Sequence, residues 1–119
     1  MGSPVYMGIV SSPLKLLFER MVAFRRDGFP LQNKVGGAIA VGGGRNTGVE
    51  LVLQQQVMFM LTQRMILVGD GAPGDHWGGT MQSKGEELSK DEGSLNTVRG
   101  VGKRVAEIAL RMAASAKSK

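Results

Sequence analysis

The chain has 119 residues, a net charge of +5, 42% hydrophobic residues and no cysteine. This length suits one globular domain, and the hydrophobic content excludes a disordered chain. The longest apolar run, residues 57–61, is far shorter than the roughly 18 residues of a spanning helix, and no secretory signal is evident. We therefore expect a cytoplasmic protein that has no membrane partner. The lack of cysteine excludes disulfides, thiolate nucleophiles and an iron-sulfur cluster held by this chain.

The positive charge is concentrated in one segment. Residues 99–119 carry six basic residues and one acid, so the remainder of the chain is neutral. Basic side chains near a helix carboxyl end complement its dipole. We expect a solvated helix face, and we rank nucleic-acid binding last because no aromatic residues alternate with these cations.

The first elements are a strand end, a loop and a helix. Residues 1–8 read as a strand running into a loop that contains Pro and Gly. Ser11 or Ser12 can cap the helix that follows, and Pro13 suits its first position. Four apolar residues have helical spacing on one face: Leu14, Leu17, Phe18 and Met21. The helix is predicted to end within residues 25–30.

The middle of the chain predicts a buried strand and an apolar helix. Residues 35–41 form an uninterrupted run of small and apolar residues, which is typical of a strand covered on both faces. Three glycines end it, and Thr47 with Glu50 matches a capping box for a helix over about residues 48–63. That helix is apolar on more than one face, so we expect contact with the sheet and with another subunit.

The last third predicts a short strand, a long loop and a helix. Residues 65–68 read as a strand. The stretch 69–94 has no convincing period, and residues 72–94 are predicted to be one long Gly-rich loop. The final helix begins near Ser94 and carries one apolar stripe: Val98, Val101, Val105, Ile108 and Met112. Alternating strands and helices predict a single α/β domain over residues 1–119 with a parallel sheet.

Glycine, at 18 of 119 residues, is about twice as frequent as its average of ~7%. Gly69, Gly71 and Gly74 match a dinucleotide fingerprint, but no helix follows, so the match is weak. Residues 42–48 lack the Lys-Ser/Thr ending of a P-loop. Residues 2–8 and 42–48 both follow strands, so they would share one sheet edge and could present backbone N–H groups and Tyr6 to a flat heteroaromatic ligand. Two ordinary connections explain this pattern equally well.

His76 is the only histidine, and no second histidine or cysteine is present to form a metal site with it. A surface-loop histidine is the simpler interpretation, and a catalytic His76 is the alternative. The adjacent Trp77 favours a loop that closes over a ligand or a subunit contact.

Several segments together resemble one enzyme family. These are SPVYMG at residues 3–8, the helix after it with Ser12, Lys15 and Glu19, then KVGGAIAVGGGRNTGVE, RMILVGDG, HWGG and DEGSLNTVRGVGKRVAEIA. The chain resembles the flavodoxin-like NAD(P)H-dependent FMN reductases, in particular the iron-sulfur flavoproteins and the tryptophan-repressor-binding-type quinone oxidoreductases. Glu19 stands where that family more often has Asp.

The resemblance implies a doubly wound, flavodoxin-like sheet with FMN at its edge. Pro4, Val5, Tyr6, Met7 and Gly8 would flank the isoalloxazine ring. Its pyrimidine side and nitrogens would face a second set: Gly43, Gly44, Arg45, Asn46, Thr47 and Gly48. The implied reaction is hydride transfer from NAD(P)H to the flavin and electron transfer to a quinone, a second flavin or an iron-sulfur partner. The family also implies a dimer or tetramer, in which His76 approaches the flavin of a neighbouring subunit.

The resemblance covers the carboxyl-terminal portion of such a domain. We therefore expect the sheet to lack the family's amino-terminal strands, its phosphate-binding loop and the cysteine motif of the iron-sulfur flavoproteins. An alternative function follows. The chain would be a non-catalytic remnant or subunit that folds by oligomerising or by pairing with a separate amino-terminal chain.

Overall fold

The computed structural model describes residues 1–44, 46–83 and 91–117. The elements, in chain order, are β1 (Gly2–Tyr6), β2 (Ile9–Val10), α1 (Ser12–Arg20), α2 (Val22–Arg26), β3 (Val35–Gly36), β4 (Ile39–Gly42), α3 (Val49–Thr62), β5 (Ile66–Leu67), β6 (Gly79–Gln82) and α4 (Glu92–Lys117). The alternation of strands and helices confirms the predicted α/β class.

Within these residues, the main sheet has four strands in the order β2-β1-β4-β6. β4 lies between β1 and β6 and is parallel to both, whereas β2 returns antiparallel to β1 through a tight turn. β3 and β5 form a second, parallel pair. The carboxyl ends of β1, β4 and β6 therefore lie at one edge of the sheet.

The buried run 35–41 forms two short strands instead of the single strand predicted. The run is hydrogen-bonded along its length, but its first part pairs with β5 and its second part pairs with β6. The N–H of Val68 donates to the Gly36 carbonyl (3.0 Å), and the N–H of Gly79 donates to the Ala38 carbonyl (2.9 Å). Residues 69–78, which we call the His76 loop, therefore project from the sheet between two paired segments.

β6 lies inside the stretch that the sequence predicts as a loop. Its four residues, GTMQ, have neither alternation nor β-branched residues beyond Thr80, so no sequence signal marks it. Pairing with β4 in register from Ile39–Gly79 to Gly42–Gln82 creates the strand. Residues 84–90 of the predicted loop lie outside the described residues.

The small residues of the run allow helices to pack closely on both faces. A Cβ atom on Gly36 would lie 2.7 Å from Met60 Sδ of α3, and one on Gly37 would lie 2.5 Å from Val101 Cγ1 of α4. Because successive residues of a strand face opposite sides, α3 and α4 cover opposite faces. Ala38 and Ala40 are completely buried between them.

The first helix begins where predicted and has most of the predicted face, but it ends at Arg20, and a separate helix, α2, follows over residues 22–26. Leu14, Phe18 and Met21 pack against the core, and the Phe18 ring stacks on Phe59 with centroids 4.0 Å apart. Leu17 is 47% exposed, so its predicted place on that face is wrong. Ser11 occupies the N-cap position, but its hydroxyl makes no capping bond.

The capping box predicted for α3 is also wrong. Gly48 is the N-cap residue, and no side chain that the structure describes caps the helix. The Thr47 hydroxyl instead donates to the Gly44 carbonyl (3.0 Å), within the preceding loop.

α4 confirms the predicted stripe, since Val101 is buried and Val98, Val105, Ile108 and Met112 are half-buried. In residues 1–44, 46–83 and 91–117 no helix has the length and apolarity to cross a membrane.

Candidate functional site

The turn after β1 and the loop after β4 meet at the carboxyl edge of the sheet. Parallel pairing of Pro4 with Val41 brings the two strand ends side by side. Gly8 and Gly48 both have positive φ, 78° and 90°, and a Cβ atom on Gly48 would lie 3.0 Å from Gly8 Cα. Glycine at residue 48 thus permits both the left-handed backbone and the close approach of the two segments. The structure brings together the two segments that the sequence predicts as one site.

The first segment offers an exposed aromatic ring and an exposed thioether. The side chains of Tyr6 and Met7 are 63% and 98% exposed, and Pro4 is exposed as well. Val5, another predicted site residue, packs against the hydrophobic core. Side-chain alternation along β1 explains the difference, so Val5 can contribute only backbone atoms to a ligand.

The second segment offers backbone donors. The N–H groups of Gly43, Gly44, Asn46 and Thr47 donate no hydrogen bond to any other residue that the structure describes. Asn46 has a left-handed backbone, with φ of 55°. Arg45, also predicted for this site, lies outside the described residues. A loop with unpaired N–H groups suits a ligand that carries carbonyl oxygens and ring nitrogens.

Gln55 is a supporting residue that the sequence analysis did not identify. Its Oε1 accepts the N–H of Val10 (3.2 Å), and its Nε2 donates to the Gly8 carbonyl (3.4 Å). These bonds hold the β1–β2 turn on α3 across 45 or more residues of sequence. Only the topology reveals the role, since QQQ at residues 54–56 marks no particular glutamine.

His76 is held by Asp70, which the sequence analysis also missed. Asp70 Oδ1 accepts the backbone N–H of His76 (2.6 Å), and Oδ2 lies 2.8 Å from Nδ1 of its ring. The Asp70 side chain is buried, while the His76 ring is 59% exposed. The turn of the His76 loop brings in the residue six positions earlier.

The His76 loop packs beside the first turns of α3. A cavity of about 320 Å³ lies between them and is lined by Glu50, Leu53, Asp75, His76, Trp77 and Thr80. None of these residues belongs to the two Gly-rich segments at the sheet edge, residues 2–8 and 42–48. The fingerprint glycines do not precede a helix either, because the loop closes through the Asp70 N–H, which donates to the His76 carbonyl (3.3 Å). Within the described residues, no group of three or more His, Cys, Asp or Glu could hold a metal ion.

Two curated proteins that are similar to this chain are both iron-sulfur flavoproteins. An iron-sulfur flavoprotein from Methanocaldococcus jannaschii is 49% identical over 109 residues, which are 91% of this chain and 56% of the relative. Another, from Methanosarcina thermophila, is 40% identical over 90% of this chain and 53% of its own length. The chain thus spans about half the length of the curated relatives it matches.

A solved structure shows the same fold. The flavodoxin, WrbA-like protein from Agrobacterium tumefaciens superposes with a TM-score of 0.76 at 25% identity, over 92% of this chain and 64% of that one. The expected flavodoxin-like fold is confirmed. Residues 1–77, which include both Gly-rich segments, match the model of the NADPH-dependent FMN reductase family. The chain belongs to the NADPH-dependent FMN reductase family.

Proposed function

We propose that this chain binds the isoalloxazine ring of FMN in an oxidoreductase that takes hydride from NAD(P)H and passes electrons to a quinone, a second flavin or an iron-sulfur acceptor. The observation that carries the proposal is the contact between the segments at Gly8 and Gly48, which joins an exposed Tyr6 to a loop whose Gly43, Gly44, Asn46 and Thr47 N–H groups donate to no other described residue. Membership of the family supports the same cofactor.

The residues of the site fit the ring by their chemistry. The loop over residues 43–48 donates backbone N–H groups, which match the carbonyl oxygens and nitrogens of the pyrimidine side. Tyr6 and Met7 supply apolar and aromatic surface for the rest of the ring. FMN supplies the hydride chemistry when it is bound. The protein orients the ring and, through hydrogen bonds to it, tunes its electron affinity, so no side chain needs to act as an acid or base.

The proposal is tested with the purified protein and added FMN. We expect a yellow complex whose visible flavin band is bleached by NADPH or NADH without oxygen. The ring contacts also predict that riboflavin, which lacks the phosphate, binds within about tenfold of FMN, because the two segments contact the ring. A protein that takes up neither flavin would overturn the proposal.

We further propose that the chain functions as a homo-oligomer through α3. Leu51, Met58 and Leu61 are 53%, 62% and 53% exposed, and they share one stripe at helical spacing. Residues 51–62 contain no charged side chain. An uncharged, apolar and exposed helix face is typical of a subunit interface.

A second candidate function has support from the edge of the sheet. β2 pairs only with Val5 and Tyr6 of β1, and within the described residues no strand pairs with Gly2, Ser3 or Pro4 on that side. Such an edge accepts an additional strand. The candidate is a subunit that becomes active with a separate amino-terminal chain. It predicts that FMN uptake requires that chain, whereas uptake by this polypeptide alone would contradict it.

A further inference from the structure

The hydrogen bonds of Asp70 determine which nitrogen of His76 carries a proton. An ionised carboxylate can only accept hydrogen bonds, and Asp70 Oδ2 lies 2.8 Å from Nδ1. Nδ1 is therefore the protonated nitrogen, and Nε2 of the neutral ring keeps its lone pair. Nε2 has no hydrogen-bond partner in the part of the chain that the structure describes, and the ring is 59% exposed.

The surroundings of His76 favour a particular kind of ligand. The 320 Å³ cavity beside it has an apolar wall from Leu53 and a tryptophan, Trp77, whose side chain is 60% exposed. An exposed indole is a platform for a planar ring. Among the described residues that line the cavity, the acidic side chains are Glu50 and Asp75, and they disfavour an anion.

We propose that this cavity is a second ligand site, which binds a neutral planar ring that carries a hydroxyl group. The hydroxyl donates to Nε2 of His76, and the ring lies against Trp77. Asp70 is a positioning residue that keeps Nε2 as the acceptor. The inference rests on the proposed function in one respect: a hydroquinone, which is the reduced form of one proposed acceptor, has this chemistry, so the site would hold the product of quinone reduction.

The tautomer is tested by ¹⁵N NMR of the imidazole, which is unambiguous because His76 is the sole histidine. We expect a protonated Nδ1 and an unprotonated Nε2. Asp70→Asn should reverse the tautomer, since its carboxamide accepts the backbone N–H with oxygen and faces Nδ1 with NH₂. Asp75→Asn is the matched control, because Asp75 makes no hydrogen bond to the ring, and it should leave the tautomer unchanged. A protonated Nε2 in the unmodified protein would overturn the positioning role.

Ligand recognition is tested with two probes that differ in one hydroxyl, 4-methoxyphenol and 1,4-dimethoxybenzene. We expect 4-methoxyphenol to shift the NMR signals of His76 and of the sole tryptophan, Trp77, and to bind at least about tenfold more tightly than the dimethoxy compound. Asp70→Asn should abolish that preference. If this buried variant does not fold, the exposed His76→Phe serves instead, because it keeps a ring and removes the acceptor. Equal binding of both probes by the unmodified protein would overturn the proposal.

These measurements use the protein without added flavin. Failure of the second site can therefore be distinguished from failure of the proposed flavin-binding function. Phenol recognition without FMN uptake would retain the second site and reject the flavin site, whereas FMN uptake without phenol recognition would do the reverse.

Discussion

At the residue scale, the contact between Gly48 and Gly8 joins the two segments of the candidate flavin site. Gly48→Ala should destabilise the protein and weaken FMN binding, because the new Cβ meets Gly8 Cα at 3.0 Å on a backbone with φ of 90°. The left-handed backbone alone costs an alanine about 1 kcal/mol. The steric contact should add to this loss and move the segments apart.

Gly28→Ala is the matched control for that substitution. Gly28 also has a left-handed backbone, with φ of 81°, but a Cβ atom there would meet nothing within 4 Å. Urea denaturation should show a loss of about 1 kcal/mol for Gly28→Ala and a larger loss for Gly48→Ala. Flavin titration should show a lower affinity for Gly48→Ala alone, and equal affinities in the two variants would contradict the proposed role of this contact.

Single residues also show where prediction from sequence succeeds and fails. Gly8 and Gly48 follow strands, so strand order alone predicts that they share an edge. Asp70 could not be predicted as the partner of His76, because the pairing depends on a loop that leaves and re-enters the sheet. Thr47 and Glu50 match a capping motif, yet Thr47 bonds inside its own loop, where a left-handed Gly48 begins the helix.

At the scale of elements, α4 lies close to the His76 loop because Gly100 has no side chain. A Cβ atom on Gly100 would run into the backbone carbonyl of Asp70, whereas one on Gly102 would meet nothing within 4 Å. Gly100→Ala should therefore destabilise the protein by about 1–3 kcal/mol, as expected for overpacking. Gly102→Ala should stabilise it by about 0.5–1 kcal/mol, because alanine is the better helix former.

Both values can be obtained from urea denaturation of the two variants. The ¹⁵N signals of the His76 ring provide a second readout, since movement of Asp70 disturbs its bond to Nδ1. A Gly100→Ala protein as stable as Gly102→Ala would contradict the packing of α4 on this loop.

The elements themselves were predictable where their patterns are long. α3 and α4 follow their apolar periodicity to within two residues. The division of residues 35–41 into two strands depends on their partners, since residues 66–67 and 79–82 pair with successive parts of the run. β6 has too few residues for a pattern and exists through its pairing with β4.

At the scale of the whole molecule, the exposed face of α3 predicts the oligomeric state. Met58→Lys should shift the protein towards monomers in analytical ultracentrifugation, because a charge in an apolar interface loses its hydration. Leu110→Lys is the control. Leu110 is 71% exposed on α4, so this lysine should leave the assembly unchanged. Identical sedimentation of the two variants would place the interface elsewhere.

The central claim is that the flavin ring lies between the β1–β2 turn and the loop over residues 43–48. The most direct measurement is a set of intermolecular nuclear Overhauser effects between bound FMN and the isotope-labelled protein. We expect the ring protons and methyl groups to show effects to Tyr6, Met7, Gly8 and the amides of Gly43 to Gly48. Effects to Trp77 and His76 without any to these two segments would contradict the claim.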